Sequence, residues 1–101
     1  MSHPLLVRAF AELDLAEAID FYRLQRSRLE NEFLAEVQRA FAAIAEQPQR
    51  YPVWKKNLRA VTLHRFPFRI FYAVHGEAII VIAVFHTSRN PKLIRRRLGN
   101  G

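Results

Sequence analysis

The chain contains no cysteine, which excludes disulfide staples, thiolate metal sites and thiol nucleophiles and fits a reducing compartment. It has three glycines, too few for a glycine-rich phosphate loop. Its longest apolar run, Ala78 to Phe85, is far too short to span a bilayer, so no membrane association is expected. The start, Met1-Ser2-His3-Pro4, lacks a charged segment followed by an apolar one; no secretory signal is read, and a cytoplasmic location is expected. The histidines His3, His64, His75 and His86 are scattered without ligand spacing, so neither a metal nor a cofactor is expected. The scarcest feature is acid in the second half. Residues 51–101 carry ten Lys/Arg against the single acid Glu77, whereas residues 1–50 carry six against eight.

What remains is a basic chain of 101 residues, read as one domain over 1–101, with a net charge of +7. Thirteen of its sixteen cations are Arg, whose planar fork suits phosphates and carboxylates. The basic half is also rich in β-branched and aromatic residues, so it reads as a sheet bearing cations and not as a disordered tail. Arg59, Arg65, Arg69, His86 and Arg89 fall on or beside the expected strands, and Lys92, Arg95, Arg96 and Arg97 follow them. Such a surface suits an anionic partner, either a nucleic acid or an acidic protein; the bland alternative is a basic but inert surface.

Hydrophobic periodicity orders the elements. Leu5-Leu6-Val7 reads as a short strand ending near Arg8. From Phe10 the pattern is helical: Leu15, Ala18, Ile19 and Tyr22 follow i, i+3, i+4, i+7. A second stripe, Leu29, Phe33, Val37, Ala40, Phe41 and Ile44, is bordered by Glu30, Glu32, Glu36 and Arg39. No Gly or Pro separates the stripes. Ser27 and Glu30 form a capping-box pattern, which places a helix break near Gln25–Ser27. Pro48 and Pro52 end the second helix and predict an extended loop from Gln47 to Trp54. Strands are expected at Leu58–Leu63, Phe68–Val74 and, after the turn signal His75-Gly76-Glu77, Ala78–Phe85. The last is apolar on both faces, as a covered central strand would be. In the tail, Asn90 to Gly101, a short helical turn is allowed. The order β-α-α-β-β-β predicts an α+β fold, a two-helix hairpin packed on a small, mostly antiparallel sheet.

Several segments carry a resemblance. Glu12-Leu13-Asp14-Leu15 with Ala18, Phe21 and Tyr22, then Phe33 with Glu36-Val37, then Pro48 with Tyr51-Pro52, occur in an order that resembles the RelE/ParE superfamily of toxins from type II toxin–antitoxin modules. The more specific pieces are Arg65-Phe66-Pro67-Phe68-Arg69-Ile70-Phe71-Tyr72 and Ala83-Val84-Phe85-His86-Thr87-Ser88-Arg89-Asn90-Pro91. The resemblance spans nearly the whole chain. It implies a growth-inhibiting toxin of the plasmid-stabilisation type, paired with a cognate acidic antitoxin. Its target would be DNA gyrase in ParE-like members or ribosome-bound mRNA in RelE-like endoribonucleases. Fold alone does not choose between them.

Under the nuclease reading the resemblance implies catalytic roles for Arg69, His86 and Arg65, supplying cations and an acid or base for attack of a 2′-hydroxyl on its phosphate. Members of that branch often carry a tyrosine in the C-terminal segment, whereas no Tyr follows Tyr72 here. Under the gyrase reading, which this favours, Arg59, Arg89, Lys92, Arg95, Arg96, Arg97 and Leu98 form the surface that meets target or antitoxin. The His86-x-x-Arg89 spacing resembles a ParE-type strand ending, although Asn90-Pro91 stands where an acidic residue is typical. A toxin fold serving only as an antitoxin-binding module is a third reading, favoured if Arg69 or His86 is packed out of solvent. Each residue also has a plainer role. His86 could be a hydrogen-bonded structural histidine, Arg69 a solvated arginine on a half-buried strand, and Tyr51 and Trp54 loop anchors. Glu17, Asp20, Glu32 and Glu36 read as solvated helix faces.

Overall fold

One extended residue divides the helical half of the chain. The computed structural model describes residues 2–99; Met1, Asn100 and Gly101, the ends of the expected domain and tail, lie outside the described residues. After β1 (Leu5–Val7), helix α1 (Ala9–Gln25) stops at Arg26, with φ −160° and ψ 134°, and α2 (Ser27–Glu46) begins immediately. The Arg26 N–H still donates to the Tyr22 carbonyl. The break therefore falls where Ser27 and Glu30 indicated, but by another device. Ser27 is already helical, Arg26 is the N-cap, and no side chain caps α2.

The sheet has five strands in the order β1-β5-β4-β3-β2: β2 (Val53–Lys55), β3 (Leu58–Thr62), β4 (Phe68–His75) and β5 (Ala78–His86), besides β1. β3, β4 and β5 form an antiparallel meander, and β1 pairs parallel to β5. β2 was not foreseen. It is a three-residue strand that begins at the end of the expected loop and runs one residue past it, turning into β3 through Lys56, which sits at φ +52° without being glycine. The tail forms a regular helix, α3 (Pro91–Leu98), with Pro91 at its first turn and the Asn90 side chain accepting from the Lys92 N–H at 2.8 Å.

The sheet is covered on both faces. On one lies the α1–α2 hairpin, whose Tyr22, Phe33, Val37 and Ile44 pack on Ile70, Tyr72, Ile79, Val81 and Val84. Tyr22, Phe33, Phe66 and Phe68 form an aromatic knot with ring centres 5.0–6.2 Å apart. Such pairs add roughly 0.5–1.5 kcal/mol each beyond area burial. On the opposite face α3 sets Ile94 over Ala60, Phe71, Ala83 and Phe85, flanked by Trp54 and Leu98.

The alternation along β5 changes phase. Phe71 pairs with Ala83 but Tyr72 with Val81, so Ile82 is an extra, bulged residue. Ile79 and Val81 before the bulge, and Val84 after it, face the hairpin; Ala83 and Phe85 face α3. Simple alternation back from Val84 would have turned Ile80 and Ile82 to the hairpin, and both are instead only partly buried.

Candidate functional site

A groove of about 770 Å³ lies at the open edge of β3. β2 is so short that it meets only the start of β3. The Ala60 N–H donates to the Pro52 carbonyl at 3.3 Å. With a backbone period of two, Thr62 turns its N–H and C=O to that same side, where no strand stands. Ala40, Ala43 and Arg39 of α2 form one wall and Tyr51–Trp54 the other, with Val61, Leu63, His64, Arg65 and Arg69 along the edge. Its surface is mostly apolar with cations at the rim.

Three side chains fix this groove. Glu36 is buried at 7 % exposure, and its Oε2 accepts the backbone N–H groups of His64 at 2.6 Å and Arg65 at 3.1 Å. A carboxylate thus holds the β3–β4 loop against α2. It is not the solvated residue expected; Glu36 sits at i+3 from Phe33, within the apolar stripe, which was the available signal. On the far wall, Tyr72 donates its buried hydroxyl to the Pro48 carbonyl at 2.5 Å, and Arg59 donates to the carbonyls of Tyr51 at 2.5 Å and Gln49 at 3.3 Å. Burial raises the Tyr72 phenol above its ordinary pKa, offset in part by the nearby Arg59 cation. Arg59 therefore shapes the 49–51 loop from within.

The residues expected in a nuclease lie near the groove's open edge, where Thr62 pairs with Arg69, but are divided between the faces of the sheet. Arg69 pairs with Phe85 and projects with Phe71 on the α3 face, its guanidinium 5.3 Å from the Phe71 ring centre. His86 pairs with Phe68 on the hairpin face, ring centres 5.2 Å apart. Arg69 and His86 thus point to opposite faces. The His86 Nδ1 accepts from the Ser88 N–H at 3.0 Å and lies 2.7 Å from the Ser88 hydroxyl oxygen. A backbone N–H only donates, so neutral His86 carries its proton on Nε2. Arg65 is spent on an ion pair with Glu32 at 3.1 Å. The three residues expected in a nuclease do not converge on one reacting position. Neither Arg69, half-buried, nor His86, exposed, is packed out of solvent.

On the α3 face Arg89 lies 4.6 Å from the Phe85 ring centre and Arg97 5.2 Å from it on the same ring. Arg97 also makes a two-pronged ion pair with Asp14, at 3.0 and 3.2 Å, while Asp14 accepts the Val84 N–H at 3.0 Å. Asp14 thus continues the β5 ladder past the end of β1 and ties α3 to α1; sequence reading did not find this role. Its position between buried Ala11 and Ala18 was the clue. Lys92, Arg95 and Arg96 are exposed, whereas Leu98 packs beside Trp54. Among the described residues no three of His, Cys, Asp and Glu gather as metal ligands, and no helix is long and apolar enough to cross a membrane.

Residues 6–91 match the family described as ParE toxin of type II toxin-antitoxin system, parDE. The chain belongs to the ParE toxin family. No curated protein sequence matches it. Among solved structures it is similar to a chain of the chromosomal ParDE toxin–antitoxin system from P. aeruginosa, at 18 % identity and TM-score 0.74, covering 84 % of this chain and 96 % of that one. It is also similar to a chain of the toxin–antitoxin complex RelBE2 from Mycobacterium tuberculosis, at 16 % identity and TM-score 0.60, covering 85 % of this chain and 99 % of that one. At such identities these structures share the fold, the RelE/ParE-like α+β arrangement. This ParE-family toxin has the order β-α-α-β-β-β-β-α, one strand and one helix more than its sequence suggested.

Proposed function

We propose that this ParE-family toxin arrests growth by binding and poisoning DNA gyrase, without cutting RNA, and that a cognate acidic antitoxin silences it by seating a segment in the β3-edge groove. The observation that carries the first part is the placement of Arg69 and His86 on opposite faces of the sheet. In-line cleavage at a 2′-hydroxyl needs its acid, base and cations around one phosphate. The two side chains leave neighbouring strands on opposite faces of the sheet, which weighs against their meeting at one phosphate, and the Ser88 bonds at Nδ1 leave His86 as an Nε2–H donor in its neutral form. The reading as an inactive binding module loses the sign that would favour it, since neither residue is buried.

The antitoxin proposal is supported by the groove's composition. An extended segment could pair with the backbone of Thr62, fill the space over Ala40, Ala43 and Val61, and set carboxylates toward Arg39 and Arg69. The acidic antitoxin carries the complementary charge, and the similar structures named above come from a toxin–antitoxin system and a toxin–antitoxin complex.

Inducing the toxin in cells, with mRNA and chromosomal DNA examined in parallel, tests the mechanism. Gyrase-dependent double-strand breaks with intact mRNA are expected, and a folded His86→Gln variant should stay toxic. Codon-biased mRNA cuts that vanish in His86→Gln would overturn the proposal.

A further inference from the structure

The α3 face holds a second arrangement, which shares only Arg69 with the groove. Phe71 and Phe85 lie side by side, ring centres 5.9 Å apart, fully buried beneath a layer of guanidinium groups. Arg69 covers Phe71, while Arg89 and Arg97 share Phe85. Arg97 is neutralised by Asp14. Among the described residues no carboxylate lies within ion-pair distance of Arg69 or Arg89, although Asp14 and Glu17 line the shallow cavity beside Arg89. Cation–π contact holds a guanidinium in place and leaves its charge and its in-plane N–H donors available. Two uncompensated forks are therefore set on a rigid aromatic base at adjoining positions, since Phe85 under Arg89 is the direct cross-strand partner of Arg69.

The positive charge continues beyond this pair. On α3, Lys92, Arg95 and Arg96 project away from the side that buries Ile94, and Arg95 meets Lys55 of the β2–β3 hairpin at a small recess. Along α3 the exposed side chains are mainly cations, with Pro91 and Leu93 the apolar exceptions. An acidic protein segment would gain more from the groove, where cations border apolar surface. A row of forks and point charges with little apolar surface between them fits an evenly charged backbone.

We propose that Arg69 and Arg89, on the Phe71–Phe85 base, form a phosphate clamp for a nucleic-acid backbone, extended along α3 by Lys92, Arg95 and Arg96. His86 lines the shallow cavity beside Arg89 but points to the face opposite Arg69, so the clamp is proposed to bind and not to cut. This goes beyond the toxin–antitoxin reading, and the clamp and the groove share Arg69.

The test is fluorescence anisotropy on the intact chain with a short labelled DNA duplex and a short single-stranded RNA, across about 50 to 200 mM salt. Polyglutamate and inorganic phosphate serve as competitors. Wild type is expected to bind at least one nucleic acid with a steep salt dependence. Arg69→Gln and Arg89→Gln should each weaken binding several-fold and lower the logarithmic salt slope by roughly 0.9 per lost duplex phosphate or 0.7 on a single strand. Arg28→Gln, an exposed arginine at the start of α2, should change neither. If Arg69→Gln melts below wild type, Arg69→Lys replaces it: the slope should persist while affinity falls, because the charge stays and the fork is lost. Three results would overturn the clamp: no binding of either nucleic acid at low salt, binding that the double variant leaves intact, or displacement by polyglutamate or inorganic phosphate at equal charge concentration.

Discussion

Substituting Glu36 by alanine removes the carboxylate that joins α2 to the β3–β4 loop, and the structure allows the cost to be estimated. Hydrogen bonds to a charged group contribute about 1.5–3 kcal/mol each, and Oε2 accepts two of them from consecutive residues. The two donors share one oxygen, and His64 and Arg65 are otherwise exposed, so water recovers part of the loss. A net cost of about 2–3 kcal/mol follows, which for a domain of this size lowers Tm by roughly 10–20 °C. Glu36→Gln keeps the shape and one acceptor oxygen, so it should cost about 1 kcal/mol. The neighbouring Glu32–Arg65 pair is an internal contrast: its side chains are 33 % and 60 % exposed, and Glu32→Ala should cost less than about 1 kcal/mol. Urea titration at constant m-value measures all three. The reasoning fails if Glu36→Ala stays within about 0.5 kcal/mol of wild type, the range of an ordinary surface change. It also fails if Glu32→Ala proves the more harmful.

Three further outcomes are expected. Asp14→Asn breaks the ion pair to Arg97, whose partners are only 10 % and 23 % exposed. It should cost about 2–3 kcal/mol, with hydrogen exchange rising in α3 well before the β4–β5 ladder. Burial raises the phenol pKa of both Tyr22 and Tyr72 above the ordinary value of 10.0. The stability these residues give is therefore complete below that value and is lost as pH climbs above it, because the unfolded chain ionises first; the Tyr22→Phe, Tyr72→Phe double variant should show a shallower alkaline decline in a Tm-against-pH series. Thr62→Pro removes an N–H that faces the open edge and no ladder bond, so the fold should survive. Antitoxin binding in the groove should weaken at least about tenfold, measured by calorimetry; unchanged affinity would place the contact elsewhere.

Much of this architecture was legible because the second helix spells its buried face in one period: Phe33, Val37, Ala40 and Ile44. The break at Arg26 was locatable but its device was not, since one extended residue needs no special side chain. β2 escaped because Pro52 precedes it and its turn, Lys56-Asn57, lacks the glycine that would have announced a hairpin. β5 hid its phase. A strand apolar on both faces reads the same in either register, so the bulge at Ile82 leaves no mark in the pattern. For the candidate site, charge pointed to the right residues but not to their roles. Arg59 and Arg97 look like their neighbours in sequence, yet one is bound to loop carbonyls and the other to Asp14. That distinction depends on acceptors 8 and 83 residues away.

Arg69 gives the two proposals a common term. It lines the groove beside Thr62 and Arg65, and it also rests on Phe71 as one arm of the clamp. A carboxylate from a groove-bound segment that reaches Arg69 would neutralise that arm, leaving Arg89 as the unpaired fork over Phe85. Antitoxin and nucleic acid would then oppose each other without overlapping elsewhere. Linkage requires the effect to be mutual: whatever factor the antitoxin costs nucleic-acid affinity, nucleic acid must cost antitoxin affinity in equal measure. Arg69→Gln should shrink this coupling because both ligands lose the shared contact, whereas Arg89→Gln should weaken the nucleic acid and leave antitoxin affinity unchanged. Measuring both affinities, each with and without the other ligand, in these two variants separates a shared residue from overlapping surfaces. Exclusion that persists in Arg69→Gln would mean that the bulk of the antitoxin, and not competition for one guanidinium, does the blocking.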